Sequence, residues 1–131
     1  MQDDMKKTLS KVRLEHAYEC LKSAKILLET NDYKGAANRS YYAIYHAMRS
    51  VLALDGIDMK KHSGTISEFR RLYIATQVFD RSMSKTISQL FDIRTNSDYD
   101  DFYVASKTEV EEQVQDAEEF IETISKYLSS L

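Results

Sequence analysis

Proline is absent from this chain of 131 residues, glycine occurs three times and cysteine once. With so few breakers the chain favours long helices and disfavours an architecture of short strands and tight turns. The lone Cys20 excludes an internal disulfide, and its helical position beside Leu21 marks a structural thiol rather than a nucleophile. No apolar run approaches the roughly 20 residues of a membrane-spanning helix. The N-terminal MQDDMKKTLSK also lacks the apolar core of a signal peptide, so a cytoplasmic protein with no membrane association is expected. The three histidines, His16, His46 and His62, form no HExxH pair, and no zinc site or other metal centre is expected. A Gly-rich phosphate loop, a GxSxG elbow and a Cys–His pair are all missing, so the sequence implies no cofactor and none of the common nucleophilic mechanisms.

Basic residues are scarce only in the last part of the chain. Residues 1–94 hold 16 Lys/Arg against 11 Asp/Glu, and residues 95–131 hold 2 against 10, within a net charge of −3. An acidic chain is a poor purely electrostatic binder of nucleic acid, but the first part can still present a local basic face. The acidic C-terminal part reads as a solvated face.

What the chain does have is helical periodicity. A first helix is expected from about Thr8 to Thr30, burying Leu14, Ala17, Leu21, Ala24 and Leu28. Asn31-Asp32 then offers a stop and a new N-cap. A second helix, Tyr33 to Leu54, is apolar almost all the way round and is therefore expected at the centre of the core. A stripe of Arg39, Ala43, His46 and Ser50 runs along its remaining side, and two readings are open: satisfied polar side chains on a central core helix, which suits most of these residues, or a stripe that faces a cleft or a partner subunit. Gly56 suits the C-cap after it. Residues 57–63, with Lys60, Lys61 and His62, read as a connection. Thr65 to Glu68 fits a capping box opening a third helix, and a break near residues 78–80 precedes a fourth with Met83, Ile87, Leu90 and Arg94 on one stripe. Ser106 to Glu109 fits a second capping box before a fifth helix that buries Val110, Val114, Ala117, Ile121, Ile124 and Leu128. The reading is a single all-α bundle of antiparallel neighbours over residues 1–131.

Arg94 breaks the apolar pattern of its stripe. A guanidinium there needs partners, and Asp98 pairs with it if the helix continues. The alternative is that Arg94 faces an open cleft and holds phosphate through its planar fork of donors. Asp98, Tyr99, Asp100, Asp101, Phe102 and Tyr103 follow; their spacing does not match an EF-hand, and capping and loop solvation is the plainer role.

Taken in order, the amphipathic first helix, YKGAANRSYYAIYHAMRSVLAL, KHSG at 61–64, EFRRLYI at 68–74 and RTNSDYDDFY at 94–103 resemble the HEPN domain family, in its small stand-alone prokaryotic branch. The resemblance implies a four- to five-helix up-and-down bundle that commonly forms homodimers. It also implies a minimal nucleotidyltransferase partner, in a toxin–antitoxin or defence setting. Many such proteins are metal-independent ribonucleases whose dimer cleft carries an Arg-x(4–6)-His motif. Arg94 matches the family arginine, but positions 99, 100 and 101 are Tyr, Asp and Asp, and no histidine follows His62. Metal-free RNA cleavage needs a base and an acid near neutral pH, which histidine supplies. Asp98, Tyr99, His46 and His62 are the candidates for that vacancy. Arg94, Arg39 and Lys61 are the candidate cations for RNA or nucleotide, and Tyr99 or Tyr103 is the implied acceptor of AMP from the partner. Three functions follow: RNA or nucleotide binding at an Arg94 cleft, an active endoribonuclease toxin with a variant site, and a non-catalytic dimeric adaptor.

Overall fold

The computed structural model describes residues 2–131. Among them the chain forms five α-helices and no strand: α1 (Asp3–Glu29), α2 (Tyr33–Leu54), α3 (His62–Phe69), α4 (Ser82–Tyr99) and α5 (Lys107–Ser129). A π-helical segment, Arg70–Ile74, extends α3. The all-α bundle read from the sequence is the architecture observed.

Helix α2 is the centre, packed against α1, α3, α4 and α5. Tyr41, Ile44, Met48, Val51 and Leu52 are all buried, as its nearly continuous apolar surface requires. The other helices contribute one stripe each: Ala17, Leu21 and Ala24 from α1, Met83, Ile87 and Leu90 from α4, and Val110, Val114, Ala117, Ile121 and Ile124 from α5.

The two chain reversals around α2 share one device. At the end of α1, Asn31 takes the left-handed conformation (φ 65°), with Asn31 N–H donating to Leu28 C=O and Asp32 N–H to Leu27 C=O. At the end of α2, Gly56 does the same (φ 72°), with Gly56 N–H donating to Ala53 C=O and Ile57 N–H to Leu52 C=O. These pairs satisfy carbonyls that a helix end leaves orphaned. Asp32 then caps α2 by accepting from Gly35 N–H at 2.8 Å.

Three local expectations need correction. Helix α1 begins at Asp3, five residues before the expected Thr8. Thr65 does not open α3; the helix starts at His62, and Thr65 lies fully buried inside it, with its hydroxyl 3.5 Å from Tyr45 Oη. Docking of the His62 ring on the tyrosines of α2 sets this start, and that tertiary contact overrides the local capping signal. The segment after Arg94 is not a loop until Asp100, because α4 runs on through Tyr99.

Arg70 pins the π-helical segment to α4, donating to Ser84 Oγ, Ser84 C=O and Ser88 Oγ at 2.7–3.0 Å. The expected N-cap of α5 forms, without the reciprocal half of the capping box: Ser106 Oγ accepts from Glu109 N–H at 3.1 Å, and the Glu109 carboxylate accepts from the Ser106 hydroxyl at 3.0 Å rather than from its backbone N–H. Ser106→Ala should lower stability by about 1 kcal/mol in urea unfolding, the usual worth of an N-cap; an unchanged midpoint would show that α5 does not rely on it.

Candidate basic and aromatic face on the central helix

Within residues 39–53 of α2, four residues stay partly open to solvent: Arg39, Tyr42, His46 and Arg49. Their spacing of three, four and three places them on one face. The expected stripe was Arg39, Ala43, His46 and Ser50. Ala43 and Ser50 are instead completely buried, as small side chains that let neighbouring helices close over them, whereas Tyr42 and Arg49 lie on the side of α2 that no helix covers completely.

Arg94 of α4 reaches this face. Its side chain is 16% exposed; it pairs with Asp98 at 3.0 Å and donates to Tyr42 Oη at 3.0 Å. The two readings of Arg94 are therefore compatible: it has its Asp98 partner on a continuing helix, and it also borders an open surface. The guanidinium lies 5.6 Å from the Tyr41 ring, 5.4 Å from Tyr42 and 5.8 Å from Tyr99, so ring faces stabilise its charge where water is partly excluded. The Asp98 oxygen that faces Arg94, Oδ2, also accepts from the Asn38 side-chain amide at 3.2 Å, and Asn38 Oδ1 accepts two bonds from Arg39. Arg39 in turn lies 5.1 Å from the Tyr42 ring. A cavity of about 310 Å³, lined by Leu27, Asp32, Lys34, Gly35, Asn38, Arg39 and Asp98, opens beside this network.

His62, at the first turn of α3, joins the same rings. It stacks on Tyr45 at 4.1 Å, meets Tyr42 edge-on at 5.6 Å, and lies 2.9 Å from Tyr41 Oη through Nδ1. Burial, then Arg94 and Arg49, hold its pKa below the ordinary histidine value. Lys61 is exposed next to it in the chain. Tyr99 is 75% exposed beside Arg94, whereas Tyr103 is half-buried and donates to Glu109 at 3.4 Å.

His46 belongs to a neighbouring cluster. Its ring sits 5.7 Å from His16, and its Nδ1 is buried without a hydrogen-bond partner. Nearby, the buried Arg13 and the half-buried Arg49 share one oxygen of Asp58, each at 3.1 Å. Burial, then Arg49, His16, Arg39 and Arg13, lower the His46 pKa to about 4. At neutral pH it is uncharged and too weak a base for efficient proton transfer.

Arg94, Asp98, Tyr99, Arg39 and His62 thus meet around Tyr41 and Tyr42, His46 packs between Tyr45 at 5.7 Å and His16 at 5.7 Å, and Tyr103 is engaged with α5. Sequence reasoning passed over Tyr42 and Asn38 as site residues. The three-and-four spacing that puts Tyr42 between Arg39 and His46 is the signal that could have found it. Among the described residues no group of three or more His, Cys, Asp or Glu side chains is arranged to hold a metal ion, and no helix is long and apolar enough to cross a membrane.

A family model for the HEPN domain matches residues 10–127. The chain is 30% identical over 115 residues to a Thermotoga maritima protein named "UPF0332 protein", covering 88% of this chain and 87% of that one. It is 30% identical over 118 residues to a Methanocaldococcus jannaschii protein named "Putative toxin", covering 90% and 87%. A "UPF0332 protein" of Archaeoglobus fulgidus is 32% identical over 111 residues, covering 85% and 88%.

In an NMR titration of the folded protein, the His46 ring should remain neutral until about pH 4. The unfolded chain takes up that proton near pH 6.5. The lowered native pKa therefore costs stability progressively as pH falls from 6.5 towards 4, and contributes nothing above that window. A His46 ring that titrates near 6.5 would contradict the buried, cation-ringed setting.

Proposed function

The chain belongs to the HEPN domain family, and on that premise we propose that it binds RNA or a nucleotide through the Arg94 face and cleaves RNA weakly or not at all. It acts as one domain, as a homodimer in the cytoplasm, beside a minimal nucleotidyltransferase in a toxin–antitoxin or defence system. The toxin names of two Methanocaldococcus jannaschii relatives support that setting. The single observation that carries the binding reading is the anchoring of Arg94. Asp98 and Tyr42 fix its guanidinium at the edge of an open face on which Arg39 and Arg49 also lie. Phosphate contacts from such cations give nucleic-acid affinity without sequence preference, and aromatic side chains supply stacking surfaces for bases. Three arginines, Arg39, Arg49 and Arg94, give this face a local basic character within an acidic chain.

The missing histidine supports binding over cleavage. A second reading, endoribonuclease, draws on His62, which shares the Tyr41 and Tyr42 rings with Arg94. Arg94→Ala should weaken binding of a short single-stranded RNA by roughly tenfold or more, the worth of a hydrogen bond to a charged group. Helical content and oligomeric state should not change. Wild-type protein in EDTA should leave the RNA intact. Undiminished binding by the variant rejects the Arg94 face as the site, and 2′,3′-cyclic phosphate products made by wild type but not by the variant establish the ribonuclease.

Tyr99, not Tyr103, is proposed as the AMP acceptor. Its hydroxyl oxygen would attack the α-phosphorus of ATP on the partner enzyme, releasing pyrophosphate and placing a negative phosphate beside Arg94. Mass spectrometry after incubation with the partner and ATP should find one AMP on Tyr99; an adduct on Tyr103 alone, or none, dismisses the assignment.

A further inference from the structure

We propose that His62 is a neutral hydrogen-bond donor: its ring hydrogen sits on Nε2, and this Nε2–H forms with the Arg94 guanidinium a two-donor phosphate site flanking Tyr42. The phosphate half of the proposal rests on the RNA or nucleotide reading above; the assignment of the ring hydrogen stands without it.

Tyr41 is completely buried. Its hydroxyl has one hydrogen-bond partner, His62 Nδ1 at 2.9 Å. A buried O–H is rarely left without an acceptor, so Tyr41 donates and Nδ1 accepts. Burial raises the Tyr41 pKa far above the ordinary phenol value, so the phenol keeps the proton it donates. With its Nδ1 lone pair occupied, a neutral imidazole carries its hydrogen on Nε2.

The remaining surroundings preserve that state. Tyr45 stacks flat on the ring and Tyr42 meets it edge-on, which fixes the ring plane. The charged groups acting on it are Arg94 from α4 and Arg49 from α2, both of which oppose a second proton. Protonation would also put N–H on Nδ1 against the Tyr41 hydroxyl, forcing that hydroxyl to reverse and leaving its own hydrogen unpaired. Nε2 makes no hydrogen bond within the protein and is not among the buried polar atoms lacking a partner, so it reaches solvent.

The consequence is chemical. A general base at this site must offer a free lone pair to a 2′-hydroxyl, and the His62 lone pair is turned inward onto Tyr41. The nitrogen facing out already bears hydrogen and can donate to a phosphate oxygen. His62 and Arg94 lie within 6 Å of the same two rings, Tyr41 and Tyr42. His62 thus adds a second phosphate donor without supplying the base absent after Arg94. Tyr41 is its positioning residue.

The test is long-range ¹⁵N–¹H NMR of the full chain without ligand, followed by titration with a short single-stranded RNA. We expect a pyrrole-type Nε2 and a pyridine-type Nδ1 on His62, persisting below the ordinary histidine pKa. Tyr41→Phe, which keeps the ring but removes the donor, should relax the tautomer and raise the His62 pKa. A pyridine-type Nε2 in the wild type overturns the assignment. In the binding arm, His62→Gln should keep affinity within a few-fold and His62→Phe should lose about tenfold, one hydrogen bond to a charged acceptor. Equal binding by wild type and His62→Phe overturns the phosphate role while leaving the RNA reading standing. Absence of RNA binding by the wild type, with the expected tautomer present, overturns the RNA reading and the phosphate role together and leaves the tautomer assignment intact.

Discussion

A guanidinium seated among tyrosine rings is the interaction on which this molecule turns. Arg94 occupies a position that helical periodicity reserves for an apolar residue, and a charge there is tolerated only if its hydrogens find acceptors. Asp98 supplies a counter-charge 3.0 Å from Nε, at an angle that makes no hydrogen bond, and Tyr42 of α2 accepts the one hydrogen bond that the guanidinium donates. The rings of Tyr41, Tyr42 and Tyr99 contribute the rest through their faces. Because Asp98 is itself held by Asn38, and Asn38 by Arg39, the arrangement couples the C-terminal half of α4 to the first half of α2. The last turn of α4, which runs to Tyr99, carries Asp98 into this network.

The same rings gather the second half of the site. His62 begins α3 by lying on Tyr45 and bonding to Tyr41, so the start of one helix and the position of a candidate functional group have a common cause. Arg39, Arg49 and Arg94 then outnumber the carboxylates on this face, where Asp98 and Asp58 are already committed to arginine partners. A chain that is acidic overall can in this way keep one face suited to phosphate. The two histidines nearest that face are both held neutral, His46 by burial and surrounding cations, His62 by burial, Arg94 and Arg49. Neither is set up as the proton-transfer group that the family motif places after its arginine.

Much of this was legible in the chain. The buried stripes of α1, α4 and α5 and the central place of α2 follow from spacing alone, as do the caps at Asp32, Gly56 and Ser106. Arg94 stood out as a charge on an apolar stripe, and its pairing with Asp98 follows from a spacing of four. What spacing could not give was contact between elements. Nothing local brings His62 to Tyr41, 21 residues away. The capping signal at Thr65 misled because ring docking moved the helix start to His62. Of the stripe on α2, Arg39 and His46 are partly open, whereas Ala43 and Ser50 are buried and Tyr42 and Arg49 take the open positions, because how closely neighbouring helices approach is decided by the assembled bundle.

The central claim is that the open face of α2, with Arg94 at its edge, is where RNA binds. Chemical-shift mapping of isotopically labelled protein titrated with a short single-stranded RNA tests it most directly. The account predicts that the largest changes fall on the Arg94 side-chain Nε–H and on Asn38, Arg39, Tyr42, Arg49 and His62, with α5 little affected. Changes confined to α5 or to the far side of α1, with the Arg94 signals unmoved, would contradict it.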